Sequence, residues 1–439
     1  MKKLSVFAVA ALSLALAAPA AAKLSPAETR MLATVKSEEA RTVALLEKLV
    51  NQNSGSLNLP GVERVGQMMR AEFEPLGFTV QWIDMKAAGR AGHIVARHKG
   101  NGRGKRMLLI GHLDTVFEPD SPFQKWTRRG NDGEGPGAGD DKGGMVVMVA
   151  ALRAMQAAGT LKNADITVFL TGDEEDSGPV DIARKDLIAA GRSSDAALDF
   201  EGLVRLNGND MGSTARRSSD EWTLTVTANS GHSSGIFTPG SGSGAIYEAA
   251  RIIDAFRREV REDKLTFNVG LIGGGATAAL DADKVRIAAT GKTNIIAGTV
   301  IARGDLRAIS PEQIARAKTK MQAIVAQTLP GGKAEILFHP DGYPPMAPTP
   351  GNRALLDRLN AVNRDMGLAE MGELDPVRRG AGDISFVAAD VDGLAGLGPG
   401  SRGDHAPGET VDIASIFRQA GRAAILMTRL STEGRATKR

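Results

Sequence analysis

The residues best able to do chemistry in this chain stand directly after short apolar runs. Gly111-His112-Leu113-Asp114 follows the run 107–110, Thr171-Gly172-Asp173-Glu174-Glu175 follows 166–170, and Glu201 follows 196–200. Between the first two lies a tight loop, Gly135-Pro136-Gly137-Ala138-Gly139-Asp140-Asp141-Lys142-Gly143-Gly144. The chain has no cysteine, which excludes a disulfide framework, a thiolate metal site and a cysteine nucleophile. Any metal must therefore be held by His, Asp and Glu. His112 and Asp114, two apart in an extended segment, point to one face, and a metal-bound imidazole commonly gives its other N–H to a carboxylate. Taken singly, each piece has a plain alternative: Asp140-Asp141 as a helix N-cap, Glu174-Glu175 as a solvated acidic turn. Taken together, they crowd carboxylates that repel unless a cation or a proton lies between them. Glu175 as a ligand and Glu174 as a base resolve the conflict. Two metals about 3.5–4 Å apart, bridged by a carboxylate and a hydroxide, form a known hydrolytic arrangement.

The elements that must bring these residues together alternate along the chain. Apolar periodicity predicts helices over 28–50, 62–76, 145–158 and 181–190, and strands over 78–83, 93–97, 107–110, 166–170 and 196–200. Strands separated by helices of this length specify an α/β fold with a largely parallel, mixed sheet flanked by helices. In such a sheet ligands collect beyond the carboxyl ends of the strands, where every residue named above falls. The pattern then changes. A strand at 222–228, a helix at 245–260, strands at 265–271 and within 285–306, a helix at 311–327 and a strand at 334–338 give the order βαββαβ, a ferredoxin-like arrangement. This reads as a separate inserted domain, with Gly342-Tyr343-Pro344-Pro345 as the return hinge and helices at 353–366 and 411–430 completing the first domain. The expected division is 23–215 and 346–439 for the first domain and 216–345 for the insert. No internal repeat is present.

Residues 1–22 read as a cleavable secretory signal: Lys2-Lys3, an apolar stretch from Leu4 to Ala18, and Ala20-Ala21-Ala22 before the expected cut. The apolar stretch is shorter than the roughly 20 residues needed to span a bilayer. The mature protein is expected in the periplasm or outside the cell, with no membrane attachment. Removing Lys2 and Lys3 takes the formal charge from +3 to about +1. With no basic tract interleaved with aromatics, the pI of 9.0 does not point to a nucleic-acid partner.

In order along the chain, His112-Leu-Asp114-Thr-Val, Gly-Pro-Gly-Ala-Gly-Asp140-Asp141-Lys-Gly-Gly, Asp173-Glu174-Glu175, Phe200-Glu201 and Gly403-Asp404-His405-Ala-Pro-Gly-Glu409 resemble the M20 metallopeptidase family, most closely its glutamate carboxypeptidase branch. The resemblance covers nearly all of the mature chain. It implies a dinuclear site, two zinc ions per subunit, with cobalt or manganese also compatible with the donors. Asp140 would bridge, His112 and Glu201 would complete one metal, and Glu175 and His405 the other. Asp199, on the same strand face as Glu201, is the rival for its place. Asp114 would orient His112, and Glu174 would be the general base. Gly231-His232-Ser233-Ser234-Gly235 resembles the family's lid motif, in which the imidazole meets the oxyanion from the other subunit of a dimer; a capping role is the alternative. Asn294 and Arg307 match positions that bind a substrate carboxylate, with pairing to Asp305 the alternative for Arg307. Where relatives carry Gly-Gly-Gly-Thr-Asp, this chain has Arg379-Gly380-Ala381-Gly382-Asp383, with Gly380 and Gly382 facing substrate. Of the remaining histidines, His93 and His98 are expected at the surface and His339 in a structural role.

The implied activity is hydrolysis of the amide before a C-terminal acidic, glutamate-like amino acid, by a homodimer joined through the insert. An N-acyl-amino-acid deacylase or a dipeptidase would use the same chemistry on another peptide or acyl-amino-acid substrate. A non-catalytic binding protein would have lost the base or several ligands, and all are present.

Overall fold

The apolar runs that precede the acidic loops are buried on both faces, as the inner strands of a parallel sheet must be. A computed structural model describes residues 24–435. Its central sheet has six strands in the order Thr79–Asp84, Gly92–His98, Asp165–Thr171, Arg106–His112, Ala196–Asp199, Gly393–Leu394. The last four run parallel, and the first two are antiparallel additions at one side. Met107 and Leu109 face one core, Leu108 and Ile110 the other. On the first face lie the helices Lys142–Ala157, Ile413–Leu430 and Pro26–Ser37, the first buried from Lys142 to Met155. On the second face, Leu187 and Ala190 of the helix Lys185–Ser193 meet Ile384, Phe386 and Val387. The signal read from residues 1–22 lies outside the described residues. Among those described, no helix is long and apolar enough to cross a membrane.

The insert has the expected βαββαβ order. Its strands pair as Thr266–Gly275, Thr299–Arg307, Asp220–Ala228, Gly332–Phe338, all antiparallel, with the helices Gly244–Glu259 and Pro311–Val325 against one face. It has its own core around Trp222, whose ring meets Phe256 edge-on and whose indole N–H donates to the Asp305 carbonyl at 3.1 Å.

Two helices predicted as continuous are broken. The first stops at Ser37 and resumes at Glu39, with Glu38 at φ −99°, ψ 10°. Buried Met31, Val35, Thr42, Leu45 and Leu49 keep one helical phase across this break, so periodicity does not register it. The other divides into Val180–Ala183 and Lys185–Ser193 at Arg184, whose side chain turns into the interior. The predicted stretch 285–306 likewise resolves into Ile287–Thr290, Ile295–Ile296 and Thr299–Arg307.

Candidate metal centre and active site

His112 ends its strand with the ring only 2% exposed. Its Nδ1 lies 3.1 Å from the Asp114 carbonyl and 3.4 Å from Asp114 Oδ1. A proton held on Nδ1 by these oxygens directs Nε2 at Asp140, where it can donate to the carboxylate or, once deprotonated, offer its lone pair to a cation. Asp114 is buried and does more than orient the ring. Its Oδ1 accepts the Glu174 N–H and its Oδ2 the Glu175 N–H, both at 3.1 Å, while Ser56 Oγ donates to Oδ2 at 2.6 Å. One carboxylate thus fixes the imidazole and the acidic loop together. Burial alone would raise the Asp114 pKa, but hydrogen bonds from His112, Ser56 and Glu175 hold it below the usual range. Asp114→Asn is expected to weaken metal binding by roughly 10–100-fold, read by competition with a chelating dye, with the far-UV circular dichroism unchanged.

Asp140 is presented by the glycine-rich loop, which Glu409 gathers. The Glu409 carboxylate accepts the N–H groups of Gly139 at 2.7 Å, Asp140 at 3.0 Å and Gly137 at 3.3 Å. Behind the loop, a Cβ at Gly144 would lie 2.0 Å from the Phe200 carbonyl, so only glycine lets the helix start this close to the strand end. Asp140 Oδ1 is 3.0 Å from His112 Nε2, and Oδ2 is 3.1 Å from His405 Nε2, so one carboxylate spans both imidazoles. His405 Nε2 is also 3.2 Å from Glu175 Oε2.

These charges are held against their solution preferences. Burial disfavours both charges of the His112–Asp140 pair, yet the pairing keeps Asp140 far below the carboxylate range and His112 well above its ordinary value. Glu175 is pushed up to about 11 by burial and by the charges of Asp140 and Glu174. Its Oε1 is buried with no hydrogen-bond partner. Ligand atoms of His112, Asp140 and Glu175 lie within 4.8 Å of one another. Such imidazole and hard-oxygen donors, with one buried oxygen unsatisfied, fit a divalent cation.

Glu201 stands slightly apart. It lines the same cavity of about 650 Å³ as Asp140, Glu174 and His405, but its carboxylate lies 2.7 Å from Arg216 Nη1 and 3.1 Å from Arg379 Nη2. Asp199 is not among the lining residues; it is buried against Arg216 at 3.0 Å and pushed up to about 7 by burial and the nearby Glu201 charge. Gly380 lines the cavity, and its carbonyl accepts from Arg216 Nε at 3.0 Å. A Cβ at Gly382 would lie 2.2 Å from Arg216 Nη1 and 2.3 Å from Glu201 Oε1. The glycine there serves the arginine–glutamate pair.

Three residues read from the sequence lie in the insert and do not line this cavity. His232 is exposed and its Nδ1 accepts the Ser234 N–H at 3.2 Å, a local cap. Asn294 is exposed, with its carbonyl accepting the Ser233 N–H at 3.0 Å. Arg307 Nε pairs with Asp305 Oδ2 at 2.8 Å. His93 is not at the surface: it is fully buried between the Ala183 carbonyl (2.9 Å) and the Gly172 N–H (3.1 Å), bracing the acidic loop. His98 is half-buried and meets the Ala164 carbonyl at 2.9 Å, while His339 meets Thr223 Oγ1 at 3.0 Å. The sequence reasoning missed Arg216, Tyr343 and the buried Arg184, none of which sits in a spacing that signals chemistry.

The sequence profile of peptidase family M20/M25/M40 matches residues 108–428, which carry His112, Asp114, Asp140, Glu174, Glu175, Glu201 and His405. The chain belongs to this family. Among similar proteins, carboxypeptidase G2 of Pseudomonas sp. (strain RS-16) is 28% identical over 405 residues, 89% of this chain and 89% of its own. A succinyl-diaminopimelate desuccinylase of Paracidovorax citrulli is 26% identical over 398 residues, 86% of this chain and 94% of its own. The crystal structure of aminopeptidase PepT from Bacillus cereus superposes with a TM-score of 0.69 at 17% identity, covering 89% of this chain and 98% of that one. The M20 fold is thus common to proteins with different named substrates. This M20 chain is a hydrolase of peptide or amide bonds, and it carries a metal-ligating group.

Proposed function

We propose that this M20 hydrolase is an exported, dinuclear zinc exopeptidase that removes a C-terminal acidic, glutamate-like residue. The observation that carries the reading is Asp140 spanning His112 and His405 beside the Glu174-Glu175 pair. His112 and Glu201 would hold one cation and Glu175 and His405 the other, with Asp140 shared. Bound there, the cations would polarise the scissile carbonyl and acidify water. Glu174 takes the proton of the attacking water and returns it to the leaving amine. Asp114 keeps His112 in one tautomer and the acidic loop in register throughout. The insert joins two copies of the chain, and His232 from the second copy meets the developing oxyanion on closure.

The acidic preference is supported by the cavity lining. Of the arginines that line it, Arg205, Arg216, Arg379 and Arg402 are paired with carboxylates, while Arg378 makes no ion pair among the described residues and is placed to meet an anionic substrate. The likeness to carboxypeptidase G2 extends along both chains. The likeness to the desuccinylase favours a second reading, an N-acyl-amino-acid deacylase.

A substrate panel separates the readings. Peptidyl-glutamate is expected to exceed peptidyl-glutamine in kcat/KM by roughly 100-fold, because the amide would leave Arg378 without a counter-charge. Faster cleavage of succinyl-diaminopimelate than of either would reject the carboxypeptidase reading. Metal analysis should find two zinc ions per chain, gel filtration a dimer, and sequencing of exported protein an N-terminus at Lys23.

A further inference from the structure

The segments that leave the first domain and return to it run side by side. Arg216 pairs with Met346 and Ser219 with Tyr343, antiparallel, with reciprocal N–H···O bonds of 2.9–3.0 Å. Both strands of this ribbon reach the active site. From the outgoing strand, Arg216 holds Glu201 and Asp199. From the returning strand, the Tyr343 hydroxyl lies 2.7 Å from the Glu174 carbonyl and 3.1 Å from Arg184 Nη2.

The direction of the tyrosine proton is fixed by chemistry. A guanidinium only donates, so the hydroxyl accepts from Arg184 and must give its own proton to the Glu174 carbonyl. Arg184 is fully buried and cannot turn away: Nη1 is 2.6 Å from Asp173 Oδ1, and Nε is 2.8 Å from Asp383 Oδ1. Phe386 packs on the tyrosine ring, with centroids 4.7 Å apart. On its other side the Glu174 peptide N–H is held by Asp114 at 3.1 Å. The backbone of Glu174 is therefore pinned at both its N–H and its carbonyl.

We propose that Tyr343 is a positioning residue for Glu174: its hydroxyl fixes the Glu174 peptide, and hence the aim of the carboxyl, and ties that aim to the connection carrying the insert. The inference rests on Glu174 being the group that moves the proton. Tyr343→Phe keeps the ring and removes the hydroxyl. In the metal-loaded enzyme it is expected to lower kcat roughly tenfold, the scale of a small misalignment at the reacting group, with KM within about twofold. Bound metal should not change, and Tm should fall by only a few degrees, about what the loss of one buried hydroxyl's bonds costs. Amide exchange at Glu174 and Glu175 should quicken about fivefold or more as the loop loses an anchor. Phe386→Leu, which loosens the ring packing but retains the hydroxyl bonds, should keep kcat within about twofold.

An unchanged kcat in Tyr343→Phe overturns the proposal. So does a loss that follows metal content or KM, or an equal loss in Phe386→Leu. Glu174→Gln is assayed alongside. Full turnover in that variant rejects the base itself, whereas unchanged exchange at Glu174 and Glu175 in Tyr343→Phe rejects the anchor whatever the base proves to be.

Discussion

Glu174→Gln is expected to lower kcat by roughly 10³-fold, within the 10²–10⁴-fold range of a positioned general base, while the bound metal is retained in full. Glu174 lines the cavity beside Asp140 and Glu201, and its side chain makes no hydrogen bond to another described residue. Its work therefore lies with what enters the cavity. Burial, and next the charges of Glu201, Asp383 and Asp140, push its pKa well above the ordinary carboxylate value in the protein alone. A group so poised holds a proton readily, and divalent charge close by would draw it back toward ionisation, leaving a carboxylate that can both take and return a proton. Glutamine matches the shape and cannot do either. The backbone anchors at Asp114 and Tyr343 do not involve the side chain, so the loop and Glu175 should keep their places. Stopped-flow turnover with metal analysis of the same sample decides the matter. Near-normal turnover with full metal would remove Glu174 from proton transfer.

The convergence of these acids and imidazoles was legible because parallel strands force it. Strands that run the same way end at one edge, so the residue types after 107–110, 166–170 and 196–200 had to meet. The second sequence signal was electrostatic: adjacent acids at an inner sheet edge need a counter-charge. His112, Asp140, Glu175 and His405 do converge. The βαββαβ order was legible because amphipathic alternation along Trp222, Leu224 and Val226 contrasts with the unbroken apolar strands of the first domain.

What escaped was long-range pairing. Nothing in local spacing shows that Arg216 and Arg379, which lie 163 positions apart in number (379 − 216), close on the same Glu201 carboxylate. Arg379 stood out only as a departure in a glycine-rich loop, and its consequence for Glu201 needed coordinates. Arg184 sat inside a predicted helix, yet its buried pairing with Asp173 and Asp383 breaks that helix. No acid lies near His93 in sequence, which points to the surface; its partners are backbone groups, which carry no signature in the residue types.

Asp140→Asn should cost both metal and activity, in contrast to Glu174→Gln. On the dinuclear reading Asp140 would be shared by both cations, since its Oδ1 faces His112 and its Oδ2 faces His405. An amide offers one oxygen and turns an N–H₂ toward the other position, where a cation is repelled. Retention is expected to fall from two metals per chain to one or none after dialysis, and kcat by roughly 10³-fold or more, since polarised carbonyl and acidified water are lost together. The fold should persist, because Glu409 holds the loop through backbone N–H groups that the substitution leaves intact. The same site fixes the sign of the pH dependence. Without a cation, Glu175 at about 11 and His112, raised well above its ordinary value by its pairing with Asp114 and Asp140, hold protons that ligation must displace, and the upward shift of His405 acts in the same direction. Metal affinity in the unsubstituted protein should therefore rise with pH, and zinc added to chelator-treated protein in weak buffer at pH 7 should release protons. Two metals retained in Asp140→Asn, or uptake without proton release, would mean that the cations are held somewhere other than between these two imidazoles.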